Sequence, residues 1–171
     1  MRANQNFGTL YILLVICQIF LCNYCPLGPY IMLSILPAMV LCMPLNISTP
    51  VCMIMAFASG IAVDWLSEGI LGLNAAAIVP VALVRKSFIT FFLGEDLISR
   101  NDMFTFRKNG AGKISAVVVS VYALFLAAYI FLDGAGARPF WFCLARFGAS
   151  LAANWLLAIP VISILTPDDR K

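Results

Sequence analysis

The sequence predicts an all-α integral membrane protein with about six transmembrane helices in a compact bundle and both termini in the cytoplasm. Of its 171 residues, 63% are apolar and 11% are charged, against roughly half and a quarter in soluble domains. Six apolar stretches divide the chain, and the cations between them are distributed unevenly. Because so few polar residues cannot cover a soluble protein of this size, the apolar excess is expected to face lipid.

The six stretches fill a single transmembrane domain, residues 1–171, and leave no room for a separate soluble domain. The first stretch has no small-x-small cleavage site before the next loop, so it is expected to remain as an uncleaved span. The second, third and fourth are short for a bilayer. The fourth also contains Gly72, Asn74 and Pro80, which leaves a broken helix or a re-entrant hairpin open there. The predicted spans are about 7–22, 29–43, 50–66, 70–84, 114–132 and 140–164, with a cytoplasmic loop over 85–113.

The distribution of Lys and Arg orients these spans. With the N-terminus in the cytoplasm, Arg138 is the one cation in an external loop, and Arg146 falls within the sixth stretch. Cytoplasmic loops are enriched in Lys and Arg, so an even number of spans with both termini inside fits best. The nine cations placed inside are Arg2, Arg85, Lys86, Arg100, Arg107, Lys108, Lys113, Arg170 and Lys171.

Several classes of function are excluded by what the sequence lacks. It contains no histidine, which Ser-His-Asp triads, Cys-His dyads and H-E-x-x-H zinc sites all require. No Gly-rich phosphate loop and no paired catalytic carboxylates are found either. We therefore predict no enzyme activity and no cofactor. The formal charge of +3 is interpreted as a signature of topology, not of a nucleic-acid partner.

The cysteines include one C-x-x-C motif, Cys22 to Cys25, at the predicted external end of the first span. An oxidising exterior could pair these two thiols. A quinone-linked thiol oxidase would need a second external cysteine pair, and the external loops contain none. Two thiols also do not complete a tetrahedral metal site. The remaining cysteines, Cys17, Cys42, Cys52 and Cys143, are interpreted as small apolar packing residues.

The sixth stretch carries a polar stripe of Arg146, Ser150 and Asn154, whose i, i+4, i+8 spacing puts them on one helical face. A guanidinium inside the membrane is costly, so this face is expected to turn toward protein or a water-filled cavity. We expect a carboxylate partner for Arg146, with Asp64 preferred over Glu68 and Asp133. Outward snorkelling of Arg146, a ligand cavity and a partner interface all remain open.

The predicted cytoplasmic loop opens with RKSFITFFLGEDLISR, which mixes aromatic and aliphatic residues with flanking charges. This pattern suits an interfacial helix. It fits a connector that lies on anionic lipid headgroups as well as a docking surface for a cytoplasmic partner.

The segment GIAVDWLSEGILGLNAAAIVPVALVR, residues 60–85, resembles the rod shape-determining protein MreD family. The family pattern is a Gly, three apolar residues and an Asp, then a short external turn, Leu-Gly-apolar, a polar residue and an Ala-rich span that ends in basic charge. The length, the six spans and the charge bias also match, while the rest of the chain agrees more loosely, through a short second span that ends in Met43-Pro44 and an external Arg138-Pro139 before the final span. The extra cysteines and Arg146 fit no part of the pattern and inherit no family role. The matching positions are Gly60, Asp64, Leu71, Gly72 and Asn74.

The resemblance implies a non-catalytic component of the bacterial inner membrane that belongs to the cell-wall elongation machinery of rod-shaped cells. Its partner would be an MreC-like single-span shape protein. Through that protein it would reach an MreB-like filament, a RodA-like polymerase and the elongation transpeptidase.

An alternative interpretation is a substrate-binding subunit of an energy-coupling-factor vitamin transporter, a class similar in length, span number and low charge. Its pocket would be formed by the polar stripe on the sixth span together with Asp64. Those subunits dock to their coupling protein through an alanine pair on the first span. The stretch FGTLYILLVICQIFLC contains no alanine, which argues against this alternative.

Overall fold

Helices form nearly all of the regular structure in the computed structural model, which describes residues 3–24, 28–68, 70–94, 111–134 and 138–165. Five helices are long and apolar enough to cross a membrane. Within the described ranges no strand is formed. The all-α class is therefore confirmed, and the protein is of the multi-pass membrane type. The long helices are α1 (Ala3–Tyr24), α3 (Thr49–Val63), α4 (Leu73–Leu93), α5 (Ala111–Gly134) and α6 (Phe140–Leu165).

A short helix, α2 (Leu36–Leu41), lies at the centre of the bundle. It contacts all five long helices, and each of its six residues is buried. Around it, α3 packs against α4, α4 against α5, and α5 against α6, while α1 packs against α3. The upper end of the bundle is defined here as the end where α1 finishes and α4 and α6 begin. The lower end is the one where α3 and α5 begin.

The second predicted span, 29–43, is wrong as a transmembrane helix. Residues 31–34 are non-helical, and α2 has only six residues. Pro37 lies in the first turn of α2, where its missing N–H is tolerated. Pro44 follows the helix, and a residue that precedes proline is disfavoured in the α conformation. Prolines on both sides therefore confine α2 to less than two turns.

The broken segment nevertheless runs from one end of the bundle to the other. At the upper end the ring of Tyr30 lies 5.0 Å from that of Phe142, near the start of α6. At the lower end the sulfur of Met43 lies 3.4 Å from that of Cys52, near the start of α3. An extended residue rises about 3.3 Å and a helical one 1.5 Å, so residues 30–41 cover about 27 Å. This length is close to the thickness of a hydrocarbon layer, about 30 Å.

The other predicted spans correspond to helices with shifted ends. The third continues beyond α3 into a single π-helical turn, Asp64–Glu68. The fourth is longer than predicted, because α4 continues through Pro80 and ends at Leu93. The predicted loop over 85–113 is therefore wrong at its start, and its residues 95–110 lie outside the described ranges. The first, fifth and sixth spans agree with α1, α5 and α6 to within a few residues.

Candidate functional site

Ser150 and Asn154 of the polar stripe on α6 bind the non-helical residues 30–34, which are called the extended segment below. The Ser150 hydroxyl accepts a hydrogen bond from the backbone N–H of Met32 at 2.9 Å. The Asn154 side chain accepts one from the N–H of Ser34 at 2.7 Å and donates one to the carbonyl of Met32 at 2.7 Å. One helical turn and two extended residues both advance about 6 Å. Ser150 and Asn154, one turn apart, therefore face N–H groups that are two residues apart in the segment.

Two residues that the sequence did not single out complete this arrangement. Gln18 of α1 accepts a hydrogen bond from the N–H of Ile35 at 2.6 Å and donates to the carbonyl of Leu33 at 3.3 Å. Tyr122 of α5 donates to the carbonyl of Ser34 at 3.0 Å. Non-helical backbone at membrane depth is tolerated only when protein satisfies its polar groups. Gln18, Tyr122, Ser150 and Asn154 meet that requirement from three different helices, and all four are buried.

Arg85 plays the corresponding role at the lower end of α2. Its Nε donates to the carbonyl of Leu41 at 3.2 Å, and its Nη2 donates to the carbonyl of Met43. The last carbonyls of a helix lack partners within the helix and carry its negative dipole end, which a guanidinium offsets. Arg85 is 1% exposed, so its predicted place in a cytoplasmic loop is wrong. It is the buried cap of a broken transmembrane segment.

Asp64 caps the start of α4 and does not pair with Arg146. Its carboxylate accepts hydrogen bonds from the N–H groups of Gly72, Asn74 and Ala75 at 2.9, 3.0 and 3.3 Å. The Asn74 side-chain amide adds a fourth at 2.9 Å. A helix N-terminus presents unpaired N–H groups and the positive end of its dipole. These donors compensate a carboxylate that is fully buried.

The remaining positions of the 60–85 segment belong to the same α3–α4 hairpin. A Cβ atom added to Gly60 would lie 2.5 Å from the Cα of Ala75, so the two helices approach more closely than a side chain allows. Gly72 precedes α4 with a φ of +96°, a conformation that glycine adopts without strain. Leu71 is 68% exposed and is the one matching position that the hairpin itself does not use.

Arg146 pairs with Asp133, the carboxylate at the end of α5. The preference for Asp64 is therefore wrong, because Asp64 is occupied by α4 and belongs to a different helix pair. The guanidinium of Arg138 lies 3.8 Å from the same Asp133 oxygen. Both arginines also lie over aromatic rings, Arg138 at 5.3 Å from the Phe142 centroid and Arg146 at 5.9 Å from that of Tyr129.

The cysteines occupy varied environments. Cys42 and Cys52 are buried, in agreement with their interpretation as packing residues, whereas Cys17 is exposed on the apolar surface of α1. The Cys22 sulfur accepts a hydrogen bond from Gln18 at 3.0 Å. Cys25 lies outside the described residues, so the Cys22–Cys25 pairing stays a prediction. In the described part of the chain no three Cys, Asp or Glu residues group as a metal site.

Gln18, Tyr122 and Arg85 were missed as site residues, although the sequence offered a signal for Gln18 and Arg85. Gln18 is a polar residue inside an apolar span, which by itself indicates a buried hydrogen-bond partner. Arg85 was assigned to a loop because the fourth span was ended too early. Tyr122 has no distinguishing local pattern. Comparison of the chain with protein-family models, curated proteins and solved structures finds no match.

Proposed function

We propose that the protein is a non-catalytic inner-membrane component of the cell-wall elongation machinery, which maintains rod shape by binding partner membrane proteins. Its direct partner is an MreC-like single-span shape protein. That protein connects it to an MreB-like filament, a RodA-like polymerase and the elongation transpeptidase. Both termini lie in the cytoplasm, the upper end faces outward, and no nucleic acid is bound.

The observation that carries the proposal is the cooperation of the family-like residues within one hairpin. Gly60 permits the close approach of α3 and α4. One turn later, Asp64 binds the first N–H groups of α4 together with the Asn74 amide. Gly72 adopts the positive φ that the turn before α4 requires. The interdependence of these residues supports a real relationship to the MreD family.

The vitamin-carrier alternative receives less support from the same geometry. Its pocket requires Ser150 and Asn154 to present polar groups to a ligand. Here those side chains bind backbone groups of residues 30–34. Arg146 is directed to Asp133 and not to Asp64. The stripe is therefore used to hold the broken segment in place.

The hairpin also offers a surface for the proposed partner. Four large apolar side chains around the π-helical turn are exposed at the upper end. Leu71 belongs to the family-like pattern, but its exposed side chain has no structural role within the hairpin. Well-packed apolar anchors contribute most of the binding energy in protein interfaces. We assign the partner-binding surface to Trp65, Leu66, Ile70 and Leu71, which are 75, 60, 59 and 68% exposed.

The test is affinity purification of the tagged protein from its native membrane in mild detergent, with mass spectrometry of the co-purified proteins. Recovery of a single-span shape protein with wall-synthesis enzymes is the expected result. Depletion of the protein should then increase cell width. Recovery of two ATPases with a transmembrane coupling subunit would refute the proposal in favour of a vitamin carrier.

A matched pair of variants tests the assigned surface. Ile70→Ala/Leu71→Ala should reduce recovery of the shape protein about tenfold, because two interface anchors are truncated. Leu156→Ala/Ile159→Ala removes the same two side-chain types from α6, where they are also exposed, and should leave recovery unchanged. Equal recovery with both variants would exclude this surface while leaving the proposed function intact.

A further inference from the structure

The charged cluster at the upper end of α5 and α6 is the largest feature that the proposed function does not use. It consists of Asp133, Arg138 and Arg146. One carboxylate faces two guanidinium groups, at 3.8 Å for Arg138 and in direct contact for Arg146. Its net formal charge is therefore +1. Among the described residues no second carboxylate forms an ion pair with either arginine.

The two arginines differ in accessibility. The Arg146 side chain is 13% exposed, whereas that of Arg138 is 40% exposed. The aromatic ring of Phe142 lies beneath the Arg138 guanidinium and favours a fixed orientation of the cation. Arg146 neutralises Asp133 from the inner side, so the excess positive charge lies on Arg138, toward the surroundings.

The cluster lies at the end of two helices that are long and apolar enough to cross a membrane, which is the level expected for lipid headgroups. Exposed aromatic side chains lie near it in the sequence, and one of them is a tryptophan, a type enriched at membrane–water interfaces. Arg138 lies two residues before the start of α6, whose first N–H groups add a positive dipole end on the same side. The neighbouring aromatic residues are Phe131, Phe140 and Trp141, which are 80, 74 and 77% exposed.

We infer that Asp133, Arg138 and Arg146 form a binding site for the phosphate of an anionic membrane lipid. Arg138 donates to the phosphate oxygens, which suit a guanidinium fork. Arg146 forms the closer ion pair with Asp133, so the negative charge of that carboxylate does not fully offset the positive charge of Arg138. The acyl chains lie along the exposed aromatic and aliphatic side chains of α5 and α6. This site is independent of the partner-binding surface around Leu71.

The experiment is native mass spectrometry of the full-length protein in detergent, titrated with dioleoyl phosphatidylglycerol or dioleoyl phosphatidylcholine. The wild type should bind phosphatidylglycerol preferentially. Arg138→Gln, which lowers the cluster charge from +1 to 0, should weaken that binding about tenfold, the effect of losing a charge-assisted hydrogen bond. Asp133→Asn raises the charge to +2 and should strengthen it. Lys86→Gln removes a half-buried cation on α4 and should have no effect.

Several outcomes would overturn the inference. Equal binding of phosphatidylglycerol by the wild type and Arg138→Gln would show that the cluster is not the site. No preference over phosphatidylcholine would show that the cluster does not recognise an anionic headgroup. Competition by inorganic phosphate at the concentration of the lipid would indicate a site for free phosphate. If Arg138→Gln lowers the melting temperature, Arg138→Lys, which keeps the charge, must retain lipid binding.

Discussion

Replacing Asn154 with leucine removes three hydrogen bonds from the centre of the bundle, two of them to the extended segment 30–34. The N–H of Ser34 and the carbonyl of Met32 each lose a partner at 2.7 Å. A buried backbone group without a partner costs about 1–3 kcal/mol, so the two together cost about 2–6 kcal/mol. Leucine keeps the number and branching of the asparagine heavy atoms, so the substitution removes the hydrogen bonds without leaving a cavity.

The assay is equilibrium unfolding in mixed micelles with increasing dodecyl sulfate, followed by tryptophan fluorescence. Trp155 is the neighbour of Asn154 in the sequence and reports on this region. The matched control is Asn23→Leu, because Asn23 is exposed and its amide donates to the carbonyls of Ile19 and Leu66. We expect less than about 1 kcal/mol for the control, since its acceptors remain near water. Equal losses of unfolding free energy in both variants would refute the idea that side chains hold the segment.

Three further substitutions probe the other contacts. Gly60→Ala should lower the unfolding free energy by about 1–3 kcal/mol through overpacking against Ala75. Gly148→Ala is the control, because a Cβ atom added there meets no atom within 4 Å. It should be neutral or stabilising by up to about 1 kcal/mol. Similar effects of the two substitutions would contradict the close approach of α3 and α4. Arg85→Met should lower the unfolding free energy by about 2–5 kcal/mol, because the two carbonyls at the end of α2 lose their donor. Arg85→Lys should lower it less. An unchanged unfolding midpoint for the Met variant would argue against capping. Asp64→Ala should cost about 2–6 kcal/mol, because the buried N–H groups of Asn74 and Ala75 lose their acceptor. It should also speed amide hydrogen exchange in the first turn of α4, and Asp64→Asn should do so less. Unaltered exchange in the Ala variant would exclude the cap.

The helical type of the long spans was predictable from their length and hydropathy. Long apolar stretches have to satisfy their own backbone polar groups in lipid, and the helix does so within one segment. Residues 111–134 and 140–165 therefore form helices close to the predicted bounds. The 29–43 stretch has the same hydropathy but contains Pro37 and ends before Pro44. Composition could not show that the backbone groups released there find partners on α1, α5 and α6.

The site residues were recognised by type, but their partners were not. Ser150 and Asn154 were correctly placed on one inward-facing helical face, and both are buried. Their hydrogen-bond partners, however, are backbone groups of residues 30–34, and no pattern of side chains reveals such partners. The pairing of Arg146 with Asp64 failed for a similar reason. Topology put Asp64, Glu68 and Asp133 at one level of the membrane and could not choose among them.

The sequence by itself determined the membrane environment, the helical class, the inward face of α6 and the α3–α4 segment that resembles a known family. These properties depend on residues close together in the chain, through hydropathy and helical periodicity. Only the tertiary structure decided that the second segment is a non-helical stretch followed by a short helix, and that Arg85 is a buried cap. These features depend on contacts between residues far apart in the chain. A polar group in the bilayer needs a hydrogen-bond partner, and that partner can come from any helix.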